Sequence, residues 1–126
     1  MKFFVQMNVK RGPMLQGWSG EDVKRMVDYM HQVNADLSAK GQFVVAEGLV
    51  DPAEARMVTA QADGSPSVTD GPFAESKEFI AGFWIINVND ANEAYRFAAT
   101  VSSCPGPGGK ALNFPVEVRQ VGQAPA

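Results

Sequence analysis

Apolar residues change period several times along this chain, and each change marks an element. From Lys2 to Val9 they alternate: Phe3, Val5, Met7 and Val9 fall on one side, Lys2, Gln6 and Asn8 on the other, and Phe4 breaks the pattern. A period of two is the pleat of a β-strand with one well-buried face. Arg11-Gly12-Pro13 ends it, and a loop runs on to Gly17-Trp18. The period then lengthens. Val23, Met26, Val27, Met30, Val33 and Leu37 recur at helical steps and form one apolar stripe, with Lys24, Arg25, Asp28, Gln32 and Asp36 on the other sides. Ser19 and Asp22 have capping-box spacing at the start of this helix, and Gly41 closes it.

A second strand runs from Phe43 to Val50 and is broken by Asp51-Pro52. Arg56 to Gln61 and Ser67 to Thr69 read as a hairpin around Asp63-Gly64-Ser65-Pro66. Phe79 to Val88 is the most apolar strand. Asp90 caps a second helix, with Glu93 in capping-box position and Ala94, Ala98 and Val101 as its apolar line. Cys104-Pro105-Gly106-Pro107-Gly108-Gly109 ends that helix, Phe114 to Arg119 alternates as a last strand, and residues 122–126 form a loose tail. The order is β-α-β-(hairpin)-β-α-β. That is the split βαβ pattern of an α+β, ferredoxin-like βαββαβ fold with an inserted hairpin, in one domain spanning residues 1–126.

Two helices cover one face of a four-stranded sheet. Strict alternation sends Phe79, Phe83 and Ile85 one way, and Ile80, Trp84, Ile86 and Val88 the other, so both faces are apolar. The strand from Phe43 repeats this, with Phe43, Val45 and Leu49 against Val44, Ala46 and Val50. A patch of that extent exceeds what monomers leave in water, so a second copy is expected to cover it.

Composition narrows the function. The chain carries 11 Lys and Arg against 14 Asp and Glu, a net charge of −3, with no basic cluster larger than Lys10-Arg11. An acidic surface repels phosphate backbones, which argues against nucleic-acid binding. One cysteine rules out an internal disulfide, and one histidine with one cysteine does not make an ordinary zinc site. No metal and no cofactor are expected. The longest apolar run, Phe79 to Ile86, falls far short of the ~20 residues needed to span a bilayer, and Met1 to Val5 is too short an apolar stretch for a signal peptide. The expected compartment is the cytoplasm, with no membrane partner.

Several side chains could carry chemistry. Glu47 shares a strand face with Phe43, Val45 and Leu49, where a carboxylate is costly unless it is paired or wet. It fits a general base with a raised pKa, and equally a structural ion pair. In Asp70-Gly71-Pro72-Phe73 each residue has a local use in a turn that aims the next strand. The same turn could set Asp70 and Phe73 at a pocket mouth. Glu75, Lys77 and Glu78 precede the most buried strand and are either a solvated charge run or a cavity rim. Trp84 offers an apolar wall or a core aromatic. His31 and Asp28, three apart on one helix, can touch and are weaker candidates for acid–base work. Cys104 has no adjacent histidine to activate it. The run Gly106 to Gly109 lacks a phosphate loop's ending and follows a helix rather than a strand.

The stretch from Asp70-Gly71-Pro72-Phe73 to Lys77-Glu78-Phe79-Ile80-Ala81-Gly82-Phe83-Trp84 resembles the signature of the DGPF branch of the YCII-related family. Ala46-Glu47-Gly48-Leu49, Cys104-Pro105-Gly106-Pro107 and Val116-Glu117-Val118-Arg119-Gln120-Val121 resemble further family segments. The resemblance implies a dimeric α/β barrel similar to small cofactor-free enzymes, with some relatives beside or fused to sigma factors. Another branch pairs a first-helix His with an Asp for suspected acid–base chemistry. His31 is offset from that position, and Met30 falls closer. Two functions follow as expectations. One is a protein that binds a small molecule at the dimeric sheet face, with Glu47, Asp70 and Glu75 as catalytic candidates and Phe73, Lys77, Glu78 and Trp84 as binding ones. The other is a non-catalytic dimerisation or protein-interaction module linked to sigma-factor regulation.

Overall fold

The computed structural model describes residues 1–10, 14–72 and 77–124. Its elements are β1 (Lys2–Lys10), α1 (Gly20–Ala39), β2 (Phe43–Gly48), β3 (Arg56–Ala60), β4 (Pro66–Asp70), β5 (Glu78–Asn87), α2 (Ala91–Ser102) and β6 (Val116–Gln120). The helices start where their caps dictate. Ser19 Oγ accepts the Asp22 amide while the Asp22 carboxylate accepts the Ser19 amide, a complete capping box, and Asp90 accepts the Glu93 amide.

Four strands form one antiparallel sheet in the order β2-β5-β1-β6, and β3 pairs with β4 in a separate two-stranded sheet. β5 lies between β1 and β2, which places β1 and β2 parallel across it, the arrangement of a ferredoxin-like α+β fold. β2 is shorter than the apolar run suggests. It stops at Gly48, and Leu49 adds one more backbone bond, to Ala81, before Asp51 turns the chain by accepting the Ala53 amide. β6 starts at Val116 rather than Phe114, because Pro115 has no N–H to give and the Phe114 carbonyl is taken by Ser102 Oγ.

One face of the large sheet carries the core. Phe3, Val5, Trp84, Ile86 and Val88 meet Val33 and Leu37 of α1 and Ala94, Ala98 and Val101 of α2. Trp84 packs edge-on to Phe97 and donates its indole N–H to Asn34 Oδ1 at 2.8 Å. Strict alternation misplaces two residues of β5. Met7 pairs with Gly82 but Asn8 pairs with Ile80, so Ala81 is an extra residue and the faces exchange there. Phe79 therefore stands opposite Val9, on the core side, while Ile80 stands opposite Asn8 on the other. β2 has a similar shift between Phe43 and Val45, which separates Phe43 from the face shared by Val45 and Glu47.

The opposite face holds Phe4 stacked on Phe83 at 5.4 Å, with Ile85 and Val45 alongside. Gln6, Asn8, Glu47, Glu117 and Arg119 complete it by register. Gln6 donates to Asn8 at 2.8 Å. The β3–β4 ribbon pairs Val58 with Val68, both largely exposed.

Candidate functional site

The apolar stripe of α1 is longer than the core beneath it. Val33 and Leu37 sit in that core, but Met30 and Met26, one and two turns nearer the N-terminus, reach over a space that no side chain fills. The space is a cavity of about 380 Å³. Met7, Val9 and Ala81 form its floor, and the bulge is what brings Ala81 to this side. Met14, Leu15 and Trp18 close one flank, Leu49 another, and Cys104, Leu112 and Phe114 a third. Leu15, Leu49 and Leu112 are each between 41% and 43% exposed, so the mouth is rimmed with leucine. Singly exposed leucines need no explanation, but here three converge on one opening.

Hydrogen bonds help to hold these walls. The Met14 amide donates to Asp51 Oδ2 at 3.3 Å, and Trp18 closes its turn on the Leu15 carbonyl. Leu15 takes a positive φ of 59° there, a strained backbone for a residue of this kind. The segment from Cys104 to Leu112 folds back on itself, with Leu112 N bonded to the Cys104 carbonyl and Gly106 N to the Lys110 carbonyl. Its tip is pinned to α1, where Gly108 N donates to Asp22 Oδ1 at 3.0 Å. Leu112 lies over Gly106 so closely that a Cβ there would come within 2.5 Å of Leu112 Cδ2, so any side chain at 106 would push this rim leucine aside.

The electrostatics follow from these contacts. The amides of Ser19 and Gly108, with Arg25 at 3.3 Å, hold the Asp22 carboxyl below the usual range. Burial pushes the Cys104 thiol up to about 11, so it stays protonated and inert at neutral pH. Burial also raises the Tyr29 phenol, whose O–H donates to the Thr100 carbonyl and ties α1 to α2. Among the described lining residues there is no Asp, Glu, Lys, Arg or His.

The residues singled out from the sequence lie elsewhere. Glu47 is exposed on the open sheet face, opposite Phe83. Asp70 ends β4 and pairs with Arg56 at 3.7 Å, while Gly71 donates to the Ala55 carbonyl. Together they clamp the base of the ribbon. Lys77 and Glu78 are exposed, and Glu78 stands opposite Lys10. Trp84 belongs to the core and is not part of the cavity wall. Asp28 is engaged by Lys24 at 2.6 Å rather than by His31, and both Asp28 and His31 are exposed. Phe73 and Glu75 lie outside the described residues, as do Arg11-Gly12-Pro13 and the last two residues of the tail.

Glu47, Asp70 and His31 are thus not brought together. The residues that do converge are mostly methionine, leucine and aromatic, types that read as core on a sequence. One signal was there: five of the six methionines lie between Met1 and Met30.

A second groove, of about 390 Å³, runs between the C-terminal half of α1 and α2. It is lined by Asp36, Lys40, Glu93 and Arg96, and its carboxylates are taken by Gln32 and the Asn89 amide. Mixed charge with local partners is the ordinary surface between two helices. Among the described residues no three His, Cys, Asp or Glu side chains gather as a metal site, and no helix is long and apolar enough to cross a membrane.

Comparison with known proteins places this architecture. The chain is 29% identical over 109 residues to an uncharacterized protein of Rhizobium meliloti (strain 1021), an alignment covering 86% of this chain and 87% of that protein. Residues 2–105 match the YCII-related domain. That match runs from the start of β1 through the end of α2 and takes in both helices and most of the cavity wall, and on it the chain belongs to the YCII-related family.

Proposed function

We propose that this protein binds a small molecule in the methionine-lined cavity and works as a homodimer. The observation that carries the reading is the cavity itself, with a lining drawn from six segments, a volume in the range of ligand sites and a leucine rim. The site differs from the one expected at the sheet face, because the unfilled space lies on the helix side. Glu47 and Asp70 are exposed and outside it, so the reading is ligand binding rather than acid–base turnover by these two.

The open sheet face supports the dimer. Phe4, Phe83, Ile85 and Val45 form an apolar belt that neither helix covers, and a second copy packed face to face, as in a dimeric α/β barrel, would bury it. The run Asp70-Gly71-Pro72-Phe73 favours the DGPF branch of the family.

One pair of variants tests both parts. Met30→Trp should plug the cavity and abolish the fluorescence gain of a neutral apolar dye such as Nile red, with the melting temperature little changed. Phe83→Asp should stay folded but run as a monomer in light scattering, with dye binding per chain retained. Undiminished dye binding by Met30→Trp would refute the cavity, and a monomeric wild type would refute the dimer.

A further inference from the structure

Building on the cavity reading, we propose that the ligand is a neutral, planar aromatic molecule, mono- or bicyclic, gripped by thioethers. The first observation is where the methionines are. Of the six in the chain, Met7, Met14, Met26 and Met30 line this one cavity. They come from three separate segments: β1, the turn after it and α1. Met7 and Met30 also pack against the edge of the core, but its buried residues under the other half of α1 are valine, leucine, isoleucine, alanine and aromatic, with no methionine among them, so the gathering of four methionines goes beyond what that core uses.

Methionine sulfur is polarizable, and its contact with a ring edge or face is favourable beyond area burial. An unbranched side chain also adapts to ligands of differing outline. Trp18 and Phe114 add ring surfaces on two flanks. A saturated ligand of equal size would gain the apolar transfer but not the sulfur–ring and ring–ring contacts.

The lining selects against charge. With no ionisable partner except the protonated Cys104 thiol among the described lining residues, an ionised ligand would lose its hydration without compensation. Asn8 belongs by register to the opposite sheet face, where Gln6 donates to its amide oxygen, so it brings no charge to the lining. The cavity lies between Met26 and Met30 of the helix and Met7 and Ala81 of the sheet, two layers that a flat ring can bridge.

The test uses carbon-13 methyl-labelled methionine in the intact protein, with signals assigned by single Met→Leu substitutions. The probes are β-naphthol and its decahydro analogue, both neutral at pH 7. β-Naphthol is expected to move the methyl signals of Met7, Met14, Met26 and Met30 upfield by ring current and to leave Met1 and Met57 in place. It should bind at least about tenfold more tightly than the saturated analogue, a gap that the double variant M26L/M30L should narrow. Equal or tighter binding of the saturated analogue at the same four methyls would overturn the aromatic preference and leave the cavity reading standing. If neither probe moves those four methyls, the cavity reading fails and the ligand class with it.

Discussion

The space between α1 and the sheet is filled at one end and empty at the other, though one helical stripe covers both. At the filled end Val33 and Leu37 press on Val5, Trp84 and Ile86, and α2 adds Ala94, Ala98 and Val101 as a second wall. At the empty end α2 is absent. Its place is taken by Met14 to Trp18 and Cys104 to Phe114, connecting segments held by a few hydrogen bonds. The side chains change with the architecture. Stiff, short or branched residues interlock where two helices converge, and flexible methionines stand where one helix overhangs alone. Tight packing is concentrated at one end and adaptable surface at the other, and the bulge at Ala81 divides the sheet between them.

The sharpest way to break this comparison is to truncate one residue at each end. Trp84→Ala removes a 5%-exposed indole, its edge contact with Phe97 and its bond to Asn34. It should cost about 3–5 kcal/mol. Met26→Ala enlarges a space that is already open, creates no new enclosed void and should cost under about 1 kcal/mol. Urea denaturation of both variants measures the difference. Similar costs would mean that the methionine end is as tightly packed as the core.

Most of the fold was legible from periodicity and caps. Ser19 with Asp22, and Asp90 with Glu93, announce both helices, and the alternation from Phe3 to Val9 announces the central strand. The faces of Phe79 and Ile80 were not legible, because a bulge adds one residue without changing the apolar character of either neighbour. The candidate site was legible least. Charged residues attract attention in a sequence, yet Glu47, Lys77, Glu78 and Asp70 sit where water or a surface partner satisfies them. A cavity made of apolar residues has no signature of its own, since Met26 and Leu37 occupy the same stripe and differ only in what the tertiary structure puts opposite them.

A smaller effect separates the two ends by titration. The Cys104 thiol rises from an ordinary 9.0 to about 11 because burial penalises its thiolate. The folded state therefore holds this proton more tightly than the unfolded chain. The stability from this group is fully present below the unfolded pKa and is lost as pH rises toward 11. Tyr29, also raised by burial, adds loss of the same sign at higher pH. Cys104→Ala should flatten the decline between pH 9 and 11, the window set by the thiol's shift, leaving the part due to Tyr29. Thiolate alkylation at pH 8 should be on the order of a hundredfold slower than in the unfolded chain, from ionisation alone. Fast alkylation of the folded protein would mean that the cavity end opens to solvent far more than its geometry indicates.

The smallest effect concerns the pin that holds the outer wall. Asp22 accepts from the amides of Ser19 and Gly108 and lies beside Arg25, and all three contacts favour its charged form. Its folded pKa is therefore depressed. A depressed carboxylate contributes stability above its unfolded pKa, about 3.8, and loses that contribution as pH falls through the folded value. Asp22→Asn keeps the shape and one acceptor but removes the charge. The variant should be less stable than wild type at neutral pH, and the gap should close as acid neutralises Asp22 in the wild type. If hydrogen bonds rather than packing secure the cavity end, the loss should appear there first. The Gly108 amide signal should titrate with Asp22 while Val5 and Ile86, both fully buried, hold their native shifts. A gap that persists unchanged into strong acid would show that the carboxylate's charge is not what fastens the loop. Simultaneous movement of Gly108, Val5 and Ile86 would show instead that the two ends unfold as one cooperative unit and that the distinction between them is structural but not energetic.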